Sequence, residues 1–567
     1  MNIARIASAG LCIALTGCFS PSIPPESDGE DASSGGTDSG GPSSGQDSTD
    51  PDGTGTSNPE TDTSIDTDTS PDTDGPTEGT DTEETDSAEG TAGASAPMIE
   101  LTVNGSAEPA TIETASEVLV EVTATDEDGS IESVEVLLDG RPVSAPVVSG
   151  GGDSYVARFI ISGADDNGTH LIEAIATDDD GLSADDSVNV EFDLPNGGLI
   201  EAWDFDGGTG GNSLGIHPNA DGSELVWIGQ TFNGGNQSMR IDRVVGPVWQ
   251  ENGTNNDDLG SDVYPLANGG YVAAMAAGDA FNLETRLRRY ASNGTTMTSA
   301  LFDGSDNGES NWPLGIEVDD AGDNYVLGAF VGPDQFESFF LKVNSNLTQE
   351  WKRSLSSSAM TDGMPFIYDF DVRPDGRVAL AGAESSRLWV ATMTADGDIE
   401  DQLTLVSEFD QSIAYDVSWT PAGDIVVAGT TNDGGGWSRF VRMYDDTLAE
   451  QWTVEGPSNE DFSMAVTADD HGHIVVASTE NCSFDSVSRY EDCRLVLRSY
   501  DEAGVLRWQH NAEAGNSEFL GPLLFRPGAK ADIEVDRFGY VYVSALHERP
   551  LGGGDTRSDW WAQKHHP

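Results

Sequence analysis

Hydrophobic and polar positions alternate in short runs over residues 98–194, in VLVEVTATDEDG, IESVEVLLDG, SYVARFIISG, THLIEAIATDDDG and SVNVEF, with Asp-Gly or Asn-Gly turns between them. Such alternation turns one side of each run to a core and the other to water, the mark of half-buried strands. About 97 residues of this pattern suit two sheets packed face to face. From residue 198 the pattern lengthens into a repeat: an apolar strand, a turn with Gly, a Val-rich strand ending in a small residue, a third strand, and a fourth carrying Trp. The turn glycines Gly222, Gly270, Gly322, Gly376, Gly423, Gly472 and Gly539 lie 48, 52, 54, 47, 49 and 67 residues apart. That is the length of a four-stranded blade with its loops, so seven units predict a seven-bladed β-propeller.

The fourth-strand Trp recurs as Trp249, Trp351, Trp452 and Trp508, and is missing after the third strand of the last unit, near WWAQK. GLIEAWDFDG at 198–207, before the first unit, carries that pattern with Trp203 in the Trp position. Residues 199–205 are therefore expected to pair near 557–564 as the last blade's fourth strand, closing the ring and removing two free edges. The fold class is all-β: a disordered acidic tether, an immunoglobulin-like sandwich, then a propeller closed by an N-terminal strand.

Composition adds what precedes these sections. Residues 1–18, MNIARIASAGLCIALTGC, place Arg5 before an apolar run too brief to span a bilayer, as an export signal does. Its end, Leu15-Thr16-Gly17-Cys18, resembles the lipobox of bacterial lipoproteins, which implies a lipid-modified Cys18. Residue 19 is Phe rather than the Asp that resembles an inner-membrane retention signal, so the outer membrane or cell surface is the expected location. Residues 19–97 hold 20 acids and no Lys or Arg among Ser, Thr, Gly and Pro, and cannot bury a core. As a coil this tether spans roughly 50 Å, more with charge repulsion. The whole chain of 567 residues carries 100 acidic against 26 basic residues, a net charge of -74, and 98–567 alone account for -55. No basic surface remains to neutralise phosphates, so nucleic acid is excluded, and membrane contact is through the lipid only. Saline or calcium-containing surroundings suit such a surface.

The runs ATDEDGSIESVEVLLDG (124–140) and GTHLIEAIATDDDGLSA (168–184) resemble bacterial immunoglobulin-like domains, which implies a spacer or adhesion module over 98–194. The repeat over 198–567, with units such as TPAGDIVVAG, resembles secreted bacterial β-propeller repeat proteins, a likeness specific for fold and weak for function. YDDTLAEQW (444–452) and YDEAGVLRW (500–508) resemble the tryptophan-docking motif of quinoprotein dehydrogenases. The spacing from Asp501 to Gly504 is one residue too short and no quinone-binding set accompanies it, so Trp packing between blades is the expected role.

Candidate chemistry is sparse. Cys482 and Cys493 flank CSFDSVSRYEDC in the sixth unit, and an oxidising compartment favours a disulfide over two free thiols. GNSLG at 211–215 matches the hydrolase elbow G-x-S-x-G but leads into a strand, so Ser213 is not expected to be catalytic. His471, His473, His565 and His566 lack metal-ligand spacing. No cofactor is expected other than calcium, for which Asp303, Ser305 and Asn307 form one candidate set, and Asp126, Asp128, Asp178 and Asp180 another, each competing with a plain turn.

Long loops expected on one propeller face set acids beside aromatics: Asp303, Asp306 and Trp312; Asp362, Phe366 and Tyr368; Asp433 and Trp437; Asp461 and Phe462. Such pairs suit a sugar or cationic peptide, or else cap the blade cores. The apolar centre 519–525 of the longest connection is expected to plug the channel or meet a partner. A tethered binding, adhesion or scaffold module for a protein or glycan is the leading expectation. An extracytoplasmic propeller enzyme (hydrolase, lyase or quinoprotein-like) and a structural component of an envelope assembly are the alternatives.

Overall fold

A computed structural model describes residues 95–143, 147–163, 166–205, 211–219, 222–223, 225–233, 236–245, 250–252, 258–279, 282–302, 310–331, 336–355, 365–384, 387–405, 411–432, 434–459, 461–484, 490–491, 493–512, 518–519, 531–552 and 555–567. Residues 1–94, with the expected leader, Cys18 and nearly all of the expected tether, lie outside them.

The first strands are β1 (Met98–Val103), β2 (Ala110–Ile112), β3 (Ser116–Thr125), β4 (Ile131–Leu138), β5 (Arg141–Pro142), β6 (Val148–Gly151), β7 (Ser154–Ile161), β8 (Gly168–Asp178), β9 (Ser183–Phe192) and β10 (Leu199–Phe205). Two sheets form from β1 to β9: one in the order β1-β3-β7-β6, the other β2-β9-β8-β4-β5. Their alternation is the physical cause of the packing. Val118, Val120 and Val122 of β3 face Ile172 and Ala174 of β8 and Val188 and Val190 of β9 in one buried cluster, while the residues between them point outward. Burying each Val or Ile contributes about 1.5–3 kcal/mol.

Six four-stranded antiparallel sheets follow, over 211–252, 258–302, 310–354, 365–404, 411–458 and 462–512, each with its four main strands in chain order. The seventh sheet gathers Glu518–Phe519, Asp532–Val535, Val541–Gly552 and Asp555–His565, and β10 lies along its outer side. β10 pairs antiparallel with Asp555–His565, Trp203 opposite Ala562. Apolar clusters join each sheet to the next. Ile216, Leu225 and Trp227 of the first sheet pack on Tyr542 and Ala562 of the seventh. The result is a propeller-like all-β body with no α-helix among the described residues.

The Trp of the fourth strand fixes successive sheets. Trp351 Nε1 donates to the Ala395 carbonyl at 3.0 Å and Trp452 Nε1 to the Glu502 carbonyl at 2.9 Å, each in the third-to-fourth-strand turn of the following sheet. Trp508 lies over Gly197, just before β10. There the two parts of the seventh sheet meet: Gly197 N–H donates to the Pro567 carbonyl at 3.1 Å and His566 N–H to the Gly198 carbonyl at 3.0 Å.

The sandwich rests on first-to-second-strand turns of the sixth and seventh sheets. Ser162 Oγ is 2.9 Å from His471 Nδ1, and Tyr540 donates its hydroxyl to the Ala115 carbonyl at 3.1 Å.

Candidate functional site

The innermost strands are Gly211–Pro218, Asp258–Pro265, Ser310–Val318, Pro365–Val372, Gln411–Trp419, Phe462–Ala468 and Asp532–Val535. The first six share a bulge, after which stand Gly215, Asp262, Gly315, Asp369, Asp416 and Ala465. Asp532 holds the equivalent place in the seventh. A bulge re-aims the next residue and frees backbone N–H groups from the ladder, and the carboxylates take them up. Asp262 Oδ1 accepts the N–H of Val263, and Oδ2 that of Ile316 in the next sheet at 3.0 Å. Asp416 does the same for Val417 and, at 2.6 Å, Val466. Asp532 accepts the N–H of Ile216 at 2.7 Å. The glycines make room: a Cβ at Gly215 would run into Asp262 Oδ1.

Two residues further along these strands stand His217, Tyr264, Glu317, Asp371, Ser418, Thr467 and Glu534. Glu317 accepts the N–H of Val372 at 2.7 Å and Asp371 that of Trp419 at 2.6 Å, again across sheets. His217 lies between two acids, with Nδ1 3.1 Å from Glu534 Oε1 and Nε2 3.2 Å from Asp262 Oδ1.

Crowding acids where water is scarce moves their protons. Burial, then the neighbouring charges of Glu534 and Asp262, pushes Asp532 up to about 7 against the opposing pull of His217. Burial lifts Asp371 to about 6, with its bond from Trp419 N–H pulling the other way. Glu317 is held well above the carboxylate range by burial and then by Asp371. For His217 burial works against the charged ring, but Glu534 and Asp262 outweigh it and hold the imidazole well above 6.5. The inner strands therefore gather an imidazole and carboxyls whose hold on a proton is strengthened, the carboxyls of Glu317, Asp371 and Asp532 being engaged by backbone donors. Among the described residues, no three His, Cys, Asp or Glu side chains are arranged to hold a metal ion.

The residues singled out in the sequence fall elsewhere. Trp312, Phe366 and Tyr368 lie half-buried in the inner strands Ser310–Val318 and Pro365–Val372. Tyr368 meets Phe366 and Tyr415 edge-on, with centroids 4.8 and 5.5 Å away, and burial pushes its phenol up to about 12. Trp437, 6 % exposed, packs on the fully buried Phe462, and Asp461 is buried and accepts the N–H of Asn481 at 2.8 Å. These three are interior groups, because Trp437 opens a strand rather than ending a loop. Asp303, Ser305, Asp306, Asn307, Asp362, Asp433 and residues 520–530 lie outside the described residues; Phe519 pairs with His547.

Cys482 and Cys493 form a disulfide. Ser213 lies in the strand Gly211–Pro218 with no helix after it, so the hydrolase elbow is absent there. His473 bonds Asp469 at 2.9 Å, and burial holds His565 down at about 3.

Sequence reasoning passed over the axial acids, yet they carry a signal. Gly215, Asp262, Gly315, Asp369, Asp416, Ala465 and Asp532 each stand seven residues before the glycine of the following turn, the second of these being Gly269 rather than Gly270. GIH, DVY, GIE, DFD, DVS, AVT and DIE are the aligned triplets.

No family model and no curated protein matches the chain. Solved structures with a similar fold include a quinoprotein alcohol dehydrogenase-like protein from Bacteroides thetaiotaomicron, 11 % identical, covering 73 % of this chain and 95 % of that one at a TM-score of 0.35. An oligogalacturonate lyase in complex with manganese is 11 % identical, covering 66 % and 98 % at 0.40. The polysaccharide lyase Uly1 is 9 % identical, covering 65 % and 99 % at 0.41. At these identities no activity is transferred.

Proposed function

We propose that the chain is an exported, lipid-anchored binding protein of the cell surface or outer membrane. In this reading the acidic tether and an immunoglobulin-like sandwich over 98–194 carry a seven-bladed propeller over 198–567, closed by β10. One propeller face, at the sheet-to-sheet connections, takes up a protein or glycan ligand without catalysis. The observation that carries the reading is the commitment of the axial acids: Asp262, Glu317, Asp371, Asp416 and Asp532 each spend a carboxylate oxygen on a backbone N–H of a neighbouring sheet. They hold the strands in place, which supports a scaffold rather than a reaction centre. The sandwich contacts the first-to-second-strand turns, which supports the opposite face as the one displayed.

A lysine-rich peptide and a panel of neutral oligosaccharides serve as probes for the unlipidated Cys18→Ser chain. Saturable binding that Trp312→Ala removes and Asp532→Asn leaves intact is the expected result; no binding to either probe counts against the reading. A second reading, an extracytoplasmic enzyme, is favoured by the shifted groups around His217, since displaced protonation states gather at reactive sites. Turnover of any added substrate that falls with Asp532→Asn and Glu534→Gln but not with Trp312→Ala would favour it.

A further inference from the structure

Two acidic turns lie side by side at one end of the sandwich. β3 runs out into 126–129 and β8 into 179–181, and the β4–β8 ladder sets Ile131 opposite Asp178. Asp179 N–H donates to the Ser130 carbonyl at 3.0 Å, and Ser130 N–H returns to Asp179 Oδ1 at 2.7 Å. Asp126 and Asp179 converge over Gly129: a Cβ there would run into Asp179 Oδ1 and lie 2.5 Å from Asp126 Oδ2.

Beneath them is a carboxylate only half used. Asp178, 1 % exposed, accepts the N–H groups of Asp180 at 3.0 Å and Leu182 at 2.8 Å through Oδ1. Its Oδ2 is buried and has no hydrogen-bond partner. Leaving a buried charged oxygen unpaired is among the more unfavourable arrangements in a protein interior. The charges felt at Asp126 are those of Asp128 and Asp178, with no Lys, Arg or His among them. A concentration of carboxylate oxygens without a basic partner lacks a cation. Oxygen-only donors suit a hard ion, and carboxylates from two separate turns suit calcium, which takes six to eight oxygens in loose geometry, better than magnesium, which demands a tight octahedron.

We propose that Asp126, Asp178 and Asp179 bind one calcium ion between the two turns, with main-chain oxygens and water completing its shell. The site differs from the sequence expectation in its ligands: it takes Asp179 in place of Asp180 and leaves out Asp128. The three carboxylates are not drawn to ligand distance as they stand; the ion pulls Asp126 and Asp179 inward, Asp178 being fixed by the ladder. Asp128, on the same turn, accepts the N–H of Ser95 at 3.1 Å and its hydroxyl at 2.8 Å. Calcium here also fixes the point where the chain enters the sandwich, independently of what the propeller face binds.

Calcium chloride titrated into the full chain carrying Cys18→Ser, followed by hydrogen exchange, tests this against the acids of the tether. Peptides spanning 126–131 and 178–183 are expected to gain protection together, with a midpoint of about 0.1–1 mM, the range of extracellular modules, and magnesium at the same concentration should not substitute. Asp178→Asn should abolish that protection while unfolding, without calcium, at the same or a higher temperature; Asp180→Asn should keep it. An Asp126→Asn, Asp179→Asn double variant should lose it as well. Protection absent from either turn, protection that survives Asp178→Asn, or a calcium-free loss of stability in Asp178→Asn would overturn the proposal.

Discussion

Asp262 Oδ2 accepts the backbone N–H of Ile316 at 3.0 Å, so a side chain of the second sheet completes the hydrogen bonding of the third. Its other oxygen caps Val263 and lies 3.2 Å from His217 of the first sheet. One carboxylate thus touches three successive sheets. Asp262→Ala should leave the Ile316 N–H and the histidine without this acceptor and destabilise by about 1.5–3 kcal/mol, the range for hydrogen bonds to charged groups. Urea unfolding monitored by tryptophan fluorescence checks this, with Glu132→Ala, at an exposed position of β4, as the near-neutral control.

Stability should fall as pH rises from about 5 to about 8. Carboxyls held above their unfolded value bind protons more tightly when folded. Their contribution is greatest at the acid end and fades from 3.8 up through about 7 for Asp532 and through about 6 for Asp371. His217, held above 6.5, acts in the same direction, its stabilisation present below 6.5 and lost as pH climbs through the folded value. His565, held down at about 3, and His566, also held below 6.5, oppose this trend up to pH 6.5 but are outnumbered by the raised carboxyls. Asp469 and Asp139, held below 3.8, lose their contribution only at lower pH, outside this window. Unfolding temperature against pH should slope downward, and an Asp532→Asn, Asp371→Asn double variant should flatten it. A rising profile in the unaltered protein contradicts the assignment.

Gly504 has φ of +78° and a Cβ there would lie 2.8 Å from the Trp452 ring. Gly504→Ala should cost about 1–2 kcal/mol for the left-handed backbone alone, and more through the displaced indole. Trp452→Phe removes the bond to the Glu502 carbonyl, worth about 1 kcal/mol, and part of the ring system over Gly504. Equilibrium unfolding of the two variants should rank them in that order.

The Cys482–Cys493 bond closes a short loop between strands of the sixth sheet. Replacing both by Ser should destabilise by about 3 kcal/mol in the chain-entropy view of a loop closed over a sequence separation of 11. Non-reducing peptide mapping should recover 482 and 493 linked, and thermal unfolding of the double variant should show the loss.

Much of the architecture was legible because it rests on local rules. Glycines at φ near +80°, at Gly322, Gly376, Gly472 and Gly539, mark first-to-second-strand turns, and a fourth-strand Trp marks the boundaries after the third, fifth and sixth sheets. The axial cluster was not legible by the same means. With 100 acids in the chain, a single Asp carries no information until the repeats are aligned on their turns. Trp437 misled for another reason: TNDGGGW reads as a glycine-rich loop displaying an aromatic, whereas the strand Trp437–Tyr444 begins at that very residue and turns it onto Phe462. Asp178 was visible as an acid in a turn, but its unpaired buried oxygen exists only once β4 and β8 are side by side.

β9 ends at Phe192 and β10 begins at Leu199, so the covalent path of a pull between the sandwich and the seven sheets runs through six residues, beside the Ser162–His471 and Tyr540–Ala115 contacts, into a strand whose partner lies more than 350 positions along the chain. The bonds of Gly197 to Pro567 and of His566 to Gly198 stand where that pull arrives. β10 is the edge strand of the seventh sheet, paired on one side only. A pull along this linker would load the pairing of two distant parts of the chain, whereas each of the other six sheets is built from one continuous stretch.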